Sequence, residues 1–256
     1  MFRVCVGFAV LALALLCAPN SRASDFRALL ESDLDIAADA MVSIYCRIGD
    51  SNRATVSSGV VIEGPGESRR GDVVVTTGHG VGNYDAEARR QECWVITPSG
   101  GRYRIHRIAN SQHMGGASHD WAVVTTDRPI SESIMRLPVV TLESVNRGEL
   151  AVAMFGRHFS NSNCRLNLNS RVVDNGQRVF IHNCGSERGQ SGAPLVARVS
   201  GQVSVIALNL GRVTSGNNLQ DNRALALGLD GGFLAVLDGA LRDVAIPSGH
   251  TNLARQ

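Results

Sequence analysis

Three short segments carry the side chains that could act together chemically. His79 lies in Val73-Val74-Val75-Thr76-Thr77-Gly78-His79-Gly80-Val81, just past an apolar β-branched run. Asp120 opens the strand-like His119-Asp120-Trp121-Ala122-Val123-Val124. Ser191 sits in Gly189-Gln190-Ser191-Gly192-Ala193-Pro194-Leu195, a glycine-flanked turn before another apolar run. The order is His, Asp, Ser, with gaps of 41 and 71 residues. A serine hydroxyl is a poor nucleophile until a base takes its proton, and a histidine does this near neutral pH. The histidine in turn needs a carboxylate that fixes its tautomer and stabilises the imidazolium. Ser191 is therefore the candidate nucleophile, His79 the general base and then acid, and Asp120 the orienting carboxylate. Singly, Asp120 reads as a strand-start cap and His79 as a surface turn residue. Their order, each at a strand edge, makes the trio a chemical signal.

Other chemistries are narrowed by composition. All 25 basic residues are Arg, which removes Schiff bases, phosphate-loop lysines and Ser–Lys dyads. The formal charge is +2 with dispersed arginines, so the basic footprint of a nucleic-acid binder is missing. His113 and His119 could suggest a metal site, but no carboxylate–histidine pattern supports them and no calcium-loop spacing occurs. No metal and no cofactor is expected.

The elements that must position the trio are short strands. Apolar or alternating runs fall at 42–48, 55–62, 72–77, 94–97, 102–108 and 121–125, and again at 150–155, 164–173, 179–182, 194–199, 203–210 and 224–228. Gly- and Pro-rich turns separate them. Strands recurring every ~8–12 residues point to an all-β sandwich or barrel. A polar segment with Pro129 and Pro138 divides the strands six and six. The expected organisation is a lobe over 24–127, a connection over 128–147 and a lobe over 148–256. The amphipathic stretch 233–244 is the best helix candidate, and 84–90 a weaker one.

Residues 1–23 read as an export signal: Arg3, a 15-residue apolar run over 4–18, then the small-residue site Ser21-Arg22-Ala23. The run is shorter than the ~20 residues that span a bilayer. Its removal leaves 23 basic and 23 acidic residues, and no integral membrane segment. Four cysteines then remain, Cys46, Cys93, Cys164 and Cys184, an even count that reads as two disulfides in an oxidising compartment. Three connectivities are possible; the favoured one staples each half, Cys46–Cys93 and Cys164–Cys184.

The three segments and their order resemble the chymotrypsin-like serine endopeptidases, and the compact bacterial, glutamyl-endopeptidase-like members more than animal digestive enzymes. Ser58-Gly59-Val60-Val61-Ile62 is a weaker fourth match, to the strand preceding the family's histidine. The resemblance implies two six-stranded antiparallel β-barrels with a C-terminal helix, a polypeptide substrate, an acyl-enzyme intermediate, and an oxyanion hole from the backbone N–H groups of Gly189 and Ser191. It also implies a specificity pocket bordered by Gly185 and by Ala207, Leu208, Asn209, Leu210 and Gly211.

Several residues depart from the digestive-enzyme pattern. Gln190 replaces the aspartate that pairs with a new N-terminus, so activation by that ion pair is not expected. Gly80 replaces a cysteine, which moves the first disulfide elsewhere. No serine stands over 205–211 to buttress the aspartate, and Asn209 is the available substitute. Gly185 replaces the aspartate of trypsin-type pockets, which argues against an Arg or Lys preference; small or apolar side chains are the default.

Two other classes are compatible with parts of the chain. A protease-like binding scaffold would share the layout without the activity. An α/β-hydrolase esterase would use Ser191 as a nucleophile elbow with Asp230 or Asp238 and His250. That elbow requires a helix after the serine, where this chain has Gly192, Pro194 and a β-branched run.

Overall fold

The computed structural model describes residues 26–47, 54–64, 69–82, 92–110, 116–131, 133–143, 148–156, 159–174, 177–212 and 223–245. The leader, His113 and the weaker helix candidate lie outside these residues. In chain order the elements are β1 (Phe26–Arg27), α1 (Glu31–Asp39), β2 (Met41–Arg47), β3 (Ala54–Ile62), β4 (Val73–Thr76), α2 (Gly78–Val81), β5 (Cys93–Ile96), β6 (Arg102–Asn110) and β7 (Ala122–Thr126). They continue with β8 (Glu149–Gly156), β9 (Phe159–Asp174), β10 (Gln177–His182), β11 (Pro194–Val199), β12 (Gln202–Arg212), β13 (Ala224–Gly228) and α3 (Gly232–Val244). A single 3₁₀ turn, Ala117–His119, precedes β7.

Strands β2 to β7 close into one antiparallel barrel in the order β2-β3-β4-β7-β6-β5, with β5 pairing back onto β2. Strands β8 to β13 close into a second, β11-β12-β13-β10-β9-β8, through the β11–β8 pairing. All twelve expected strands occur, and the C-terminal helix with them.

The valine run at 73–75 is apolar without a break because both faces of β4 are covered. Val74 points into the first barrel with Ile44, Val61 and Val124. Val73 and Val75 face the second barrel, in one cluster with Val60, Ile62, Val123, Phe155, Val205 and Leu208. A half-exposed antiparallel strand would alternate instead. The barrels thus share an apolar seam, and strand ends along that seam are held rigidly relative to each other.

The connection is threaded through this seam. Leu137 bridges to Ile62 and Val139 to Val205, each in parallel. Buried Asp72 pins it: Arg136 donates through Nε at 2.7 Å and Nη2 at 3.0 Å, and the Ile130 N–H donates at 2.7 Å. Burial alone would raise the Asp72 pKa, yet these bonds and the Arg136 and Arg69 charges hold it below its ordinary value. On the other barrel, buried Arg178 grips Asp230 through Nε at 2.6 Å and Nη2 at 2.8 Å, and donates to the Leu142 carbonyl at 2.7 Å. Helix α3 leaves the second barrel to pack on the first, where Phe233 meets Trp121 edge-on at 5.5 Å.

Two N-terminal elements have no counterpart in the sequence reading. Strand β1 pairs with β11, Phe26 opposite Val199. Helix α1 is tied to the same strand by Arg198, which donates to both Asp33 oxygens at 2.6 and 2.8 Å. Among the described residues, no helix is long and apolar enough to cross a membrane.

The disulfides join Cys46 to Cys93 and Cys164 to Cys184, with Cα separations of 4.1 and 4.9 Å. Cys46 and Cys93 sit opposite each other on β2 and β5. Cys164 lies within β9, and Cys184 two residues past β10.

Candidate active site

His79 is carried by α2, a single turn that begins where β4 ends. Its backbone N–H donates to Asp120 Oδ1 at 2.8 Å, and its Nδ1 lies 2.6 Å from Asp120 Oδ2. A carboxylate can only accept, so Nδ1 is the donor, and in the neutral ring Nε2 is the nitrogen with the lone pair. Asp120 reaches this position because it caps the 3₁₀ turn that leads into β7, and β7 pairs with β4. The pair is open to solvent on one side, with side chains 43% and 19% exposed. Two strands that are neighbours in one barrel therefore bring together two residues 41 apart in the chain.

The Ser191 turn belongs to the second barrel but is bound to the first. The Ser58 N–H donates to the Ser191 carbonyl at 2.8 Å, and Ser58 Oγ donates to the Gly189 carbonyl at 2.9 Å. Gly192, at φ +82°, lies so close that a Cβ there would stand 2.2 Å from the Ser58 carbonyl and 2.3 Å from Thr76 Oγ1. Thr76 is three residues before His79, so glycine at 192 permits the approach of the turn to the strand that delivers the histidine. The Ser191 hydroxyl donates to the Leu210 carbonyl at 3.4 Å.

Within the turn, the N–H groups of Gln190, Gly192 and Ala193 are used by the carbonyls of Glu187, Asn209 and Gln190. Among the described residues, no acceptor receives the N–H of Gly189 or Ser191. Gly189 has φ +88°. Gln190 is buried and accepts the Glu187 N–H through Oε1 at 2.7 Å, which ties its side chain into the loop.

Asn209 does not serve as a buttress for Asp120. Its fully buried amide donates to Ser186 Oγ at 3.0 Å and to the Gln190 carbonyl at 2.8 Å, and its Oδ1 faces His182 Nε2 at 3.1 Å. These bonds hold the loop on both sides of Gly185 and the residue before Ser191. Arg212 adds a bond from Nε to the Ser186 carbonyl.

Of the other residues expected along the pocket, Ala207 and Leu208 are fully buried, Ala207 in the second barrel's core and Leu208 in the seam. Leu210 and Gly211 lie at the emerging end of β12, and Gly185 is half-buried. Ser186 falls in the segment 184–188 before Ser191 that is expected beside the pocket, whereas His182 and Thr76 carry no signal beyond a polar residue at the end of an apolar run, which many strand ends share.

Among the described residues, no group of three His, Cys, Asp or Glu could hold a metal.

A family model described as a trypsin-like peptidase domain matches residues 57–208, which span Ser58, His79, Asp120 and Ser191. No curated protein matches the chain. Solved structures match it at low identity. A Glu endopeptidase in complex with MPD is 13% identical, with a TM-score of 0.52, over 80% of this chain and 91% of that one. The protease Anisep from Arthrobacter nicotinovorans is 14% identical, with a TM-score of 0.57, over 80% and 96%. A thermostable serine protease from an extremophilic microorganism is 14% identical, with a TM-score of 0.51, over 75% and 91%. At these identities the likeness is one of fold, and it agrees with the two barrels. With the family model covering well over half of the chain, the protein belongs to the trypsin-like peptidase domain family, as a serine-type endopeptidase.

Proposed function

We propose that the protein is an exported endopeptidase that cleaves polypeptides through Ser191, His79 and Asp120. The observation that carries this reading is the double hydrogen bond from His79 to Asp120, which leaves Nε2 as the basic nitrogen. In the reaction the Ser191 hydroxyl turns from the Leu210 carbonyl to His79, gives up its proton to Nε2 and attacks the scissile carbonyl. The developing oxyanion is received by the N–H groups of Gly189 and Ser191. Losing one such donor typically costs a factor of ~100–1,000 in rate. His79 then protonates the leaving amine, and water deacylates Ser191 by the same route in reverse.

Export is supported by the leader-like residues 1–23 and by the two disulfides, which persist in oxidising compartments. Activation by pairing of a new N-terminus with residue 190 has no support. Gln190 is neutral and its Oε1 is engaged by the Glu187 N–H, and β1 pairs with β11 instead.

The test is pre-steady-state hydrolysis of p-nitrophenyl acetate. An acyl-enzyme gives a burst of nitrophenol close to one equivalent, absent in Ser191→Ala and in His79→Ala. A burst that survives Ser191→Ala overturns the reading.

A further inference from the structure

Gly189 and Ser191, whose N–H groups face a developing oxyanion on the reading above, have both their carbonyls held by one residue of the other barrel. Ser58 donates its N–H to the Ser191 carbonyl at 2.8 Å and its hydroxyl to the Gly189 carbonyl at 2.9 Å. Its own carbonyl accepts from Thr76 Oγ1 at 2.6 Å, three residues before His79. One residue thus links the strand that delivers the histidine to the turn that carries the serine.

The place of Ser58 on β3 makes this possible. Pairing of β3 with β4 begins only at Val60, so two residues earlier the backbone N–H and C=O are left for other partners. The side chain is fully buried at the seam between the barrels.

The two bonds to the turn make different demands on residue 58. Any residue but proline could give the N–H to Ser191, whereas the bond to Gly189 needs a side-chain donor. Packing does little to fix Gly189: it has φ +88°, and the nearest atom to a Cβ there would be the Val56 carbonyl oxygen at 3.9 Å. Its position therefore rests on hydrogen bonds. The peptide that follows Gly189 is gripped at both ends, its carbonyl by Ser58 Oγ and its N–H by the Glu187 carbonyl at 3.2 Å. The next peptide is turned the other way. The Gln190 carbonyl accepts from Asn209 Nδ2 at 2.8 Å and from the Ala193 N–H at 2.9 Å. In a trans peptide the N–H points opposite to the carbonyl, so the Ser191 N–H is directed away from the buried Asn209 amide.

Donors aimed at a developing charge work because they are in place beforehand, and a misplacement of about 1 Å can cost on the order of 100-fold in rate. We propose that the Ser58 hydroxyl is a positioning group for the oxyanion hole, holding Gly189 so that its N–H and that of Ser191 meet the substrate oxygen together. The proposal rests on the reading of Ser191 as the nucleophile.

The test compares acylation of the full mature chain by p-nitrophenyl acetate and by p-nitrophenyl thionoacetate, in which sulfur replaces the carbonyl oxygen. Sulfur is a poor hydrogen-bond acceptor, so the thionoester gains little from the donors. Ser58→Ala removes only the hydroxyl and keeps the backbone bond to Ser191. It should slow the ester burst by about tenfold or more and the thionoester burst by less than about twofold, so that the ratio of the two rates falls. General damage to the turn would slow both alike. Circular dichroism checks the fold. Should Ser58→Ala not fold, Thr76→Val decides in its place: it keeps the shape, removes the bond to the Ser58 carbonyl, and should lower the ratio by about threefold. A ratio that does not move in the folded variant, whether both rates hold or both fall, overturns the proposal. If the wild-type burst is intact and lost in Ser191→Ala, that outcome counts against Ser58 alone. A burst that survives Ser191→Ala removes the reading of Ser191, and the proposal with it.

Discussion

His182 donates from Nε2 to Asn209 Oδ1 at 3.1 Å, in a buried layer beneath the Ser191 turn. The tautomer follows from the neighbours: the Cys184 N–H donates to His182 Nδ1 at 3.3 Å, so that nitrogen must be the acceptor. Asn209 spends its two N–H bonds on Ser186 and Gln190. A second histidine, distinct from His79, is thus part of the framework that shapes the turn.

This histidine should make stability fall in mild acid. Burial, which outweighs the bond to Asn209, lowers its pKa from 6.5 to about 4. Above 6.5 the folded and unfolded chains are both neutral at this site. As pH falls from 6.5 toward 4, the unfolded chain gains a proton that the folded one refuses, at a cost of about 3 kcal/mol. Asp72, held below its ordinary 3.8, extends the loss to lower pH, because its stabilisation disappears as the folded carboxylate protonates. Urea midpoints at several pH values measure the slope. His182→Gln should flatten it between 6.5 and 4; an unchanged slope would assign the loss elsewhere.

Asn209→Ala should remove three bonds at once and leave buried partners unsatisfied, costing about 2–4 kcal/mol. If Asn209 positions the turn, peptide turnover should fall at temperatures where the variant is fully folded, with KM changed less than kcat. A variant that loses stability but keeps kcat would reduce Asn209 to a packing residue.

The two turn glycines should respond differently to a methyl group. At Gly192 both the positive φ and the 2.2 Å approach to the Ser58 carbonyl forbid a side chain, so Gly192→Ala should not yield a folded, active protein. At Gly189 the nearest atom is the Val56 carbonyl at 3.9 Å. Gly189→Ala then meets only the left-handed backbone penalty of roughly 1–2 kcal/mol, and should fold. Circular dichroism and thermal melts separate the two outcomes.

The barrels were legible because each strand has its own local signal. The run 73–75 and the alternating 102–108 each mark a strand without knowledge of its partner. The within-half disulfides were the favoured one of three connectivities because each half holds two cysteines, and the structure places Cys46 and Cys93 on paired strands. Helix α1 was not legible. Its cap residue is Leu30, and a contact 165 residues away, Asp33 with Arg198, anchors it. Asn209 was misjudged for the same reason: its partners His182, Ser186 and Gln190 come from two segments that only the closed barrel brings together. The order of His79, Asp120 and Ser191 was visible in sequence, whereas the Ser58 clasp across the seam was not.

The disulfides should differ in what they protect. They close separations of 47 and 20 residues, and removing either should cost roughly 2–4 kcal/mol. Cys184 anchors the segment that leads to Ser191, while Cys46 reaches the His79 turn only through Thr55, whose hydroxyl meets the Cys46 and Gly80 carbonyls. Cys164→Ser/Cys184→Ser should therefore lower turnover more than Cys46→Ser/Cys93→Ser, measured well below both melting temperatures. The reverse ranking would reject the anchoring role.

Labelling by a fluorophosphonate probe, followed by peptide mapping, bears most directly on the Ser191–His79–Asp120 assignment. The purified mature protein should carry the label on Ser191. Labelling should be lost in Ser191→Ala and suppressed by a factor of about 10⁶ in His79→Ala with the fold unchanged. A label on another serine, or an equal rate of labelling without His79, would contradict it.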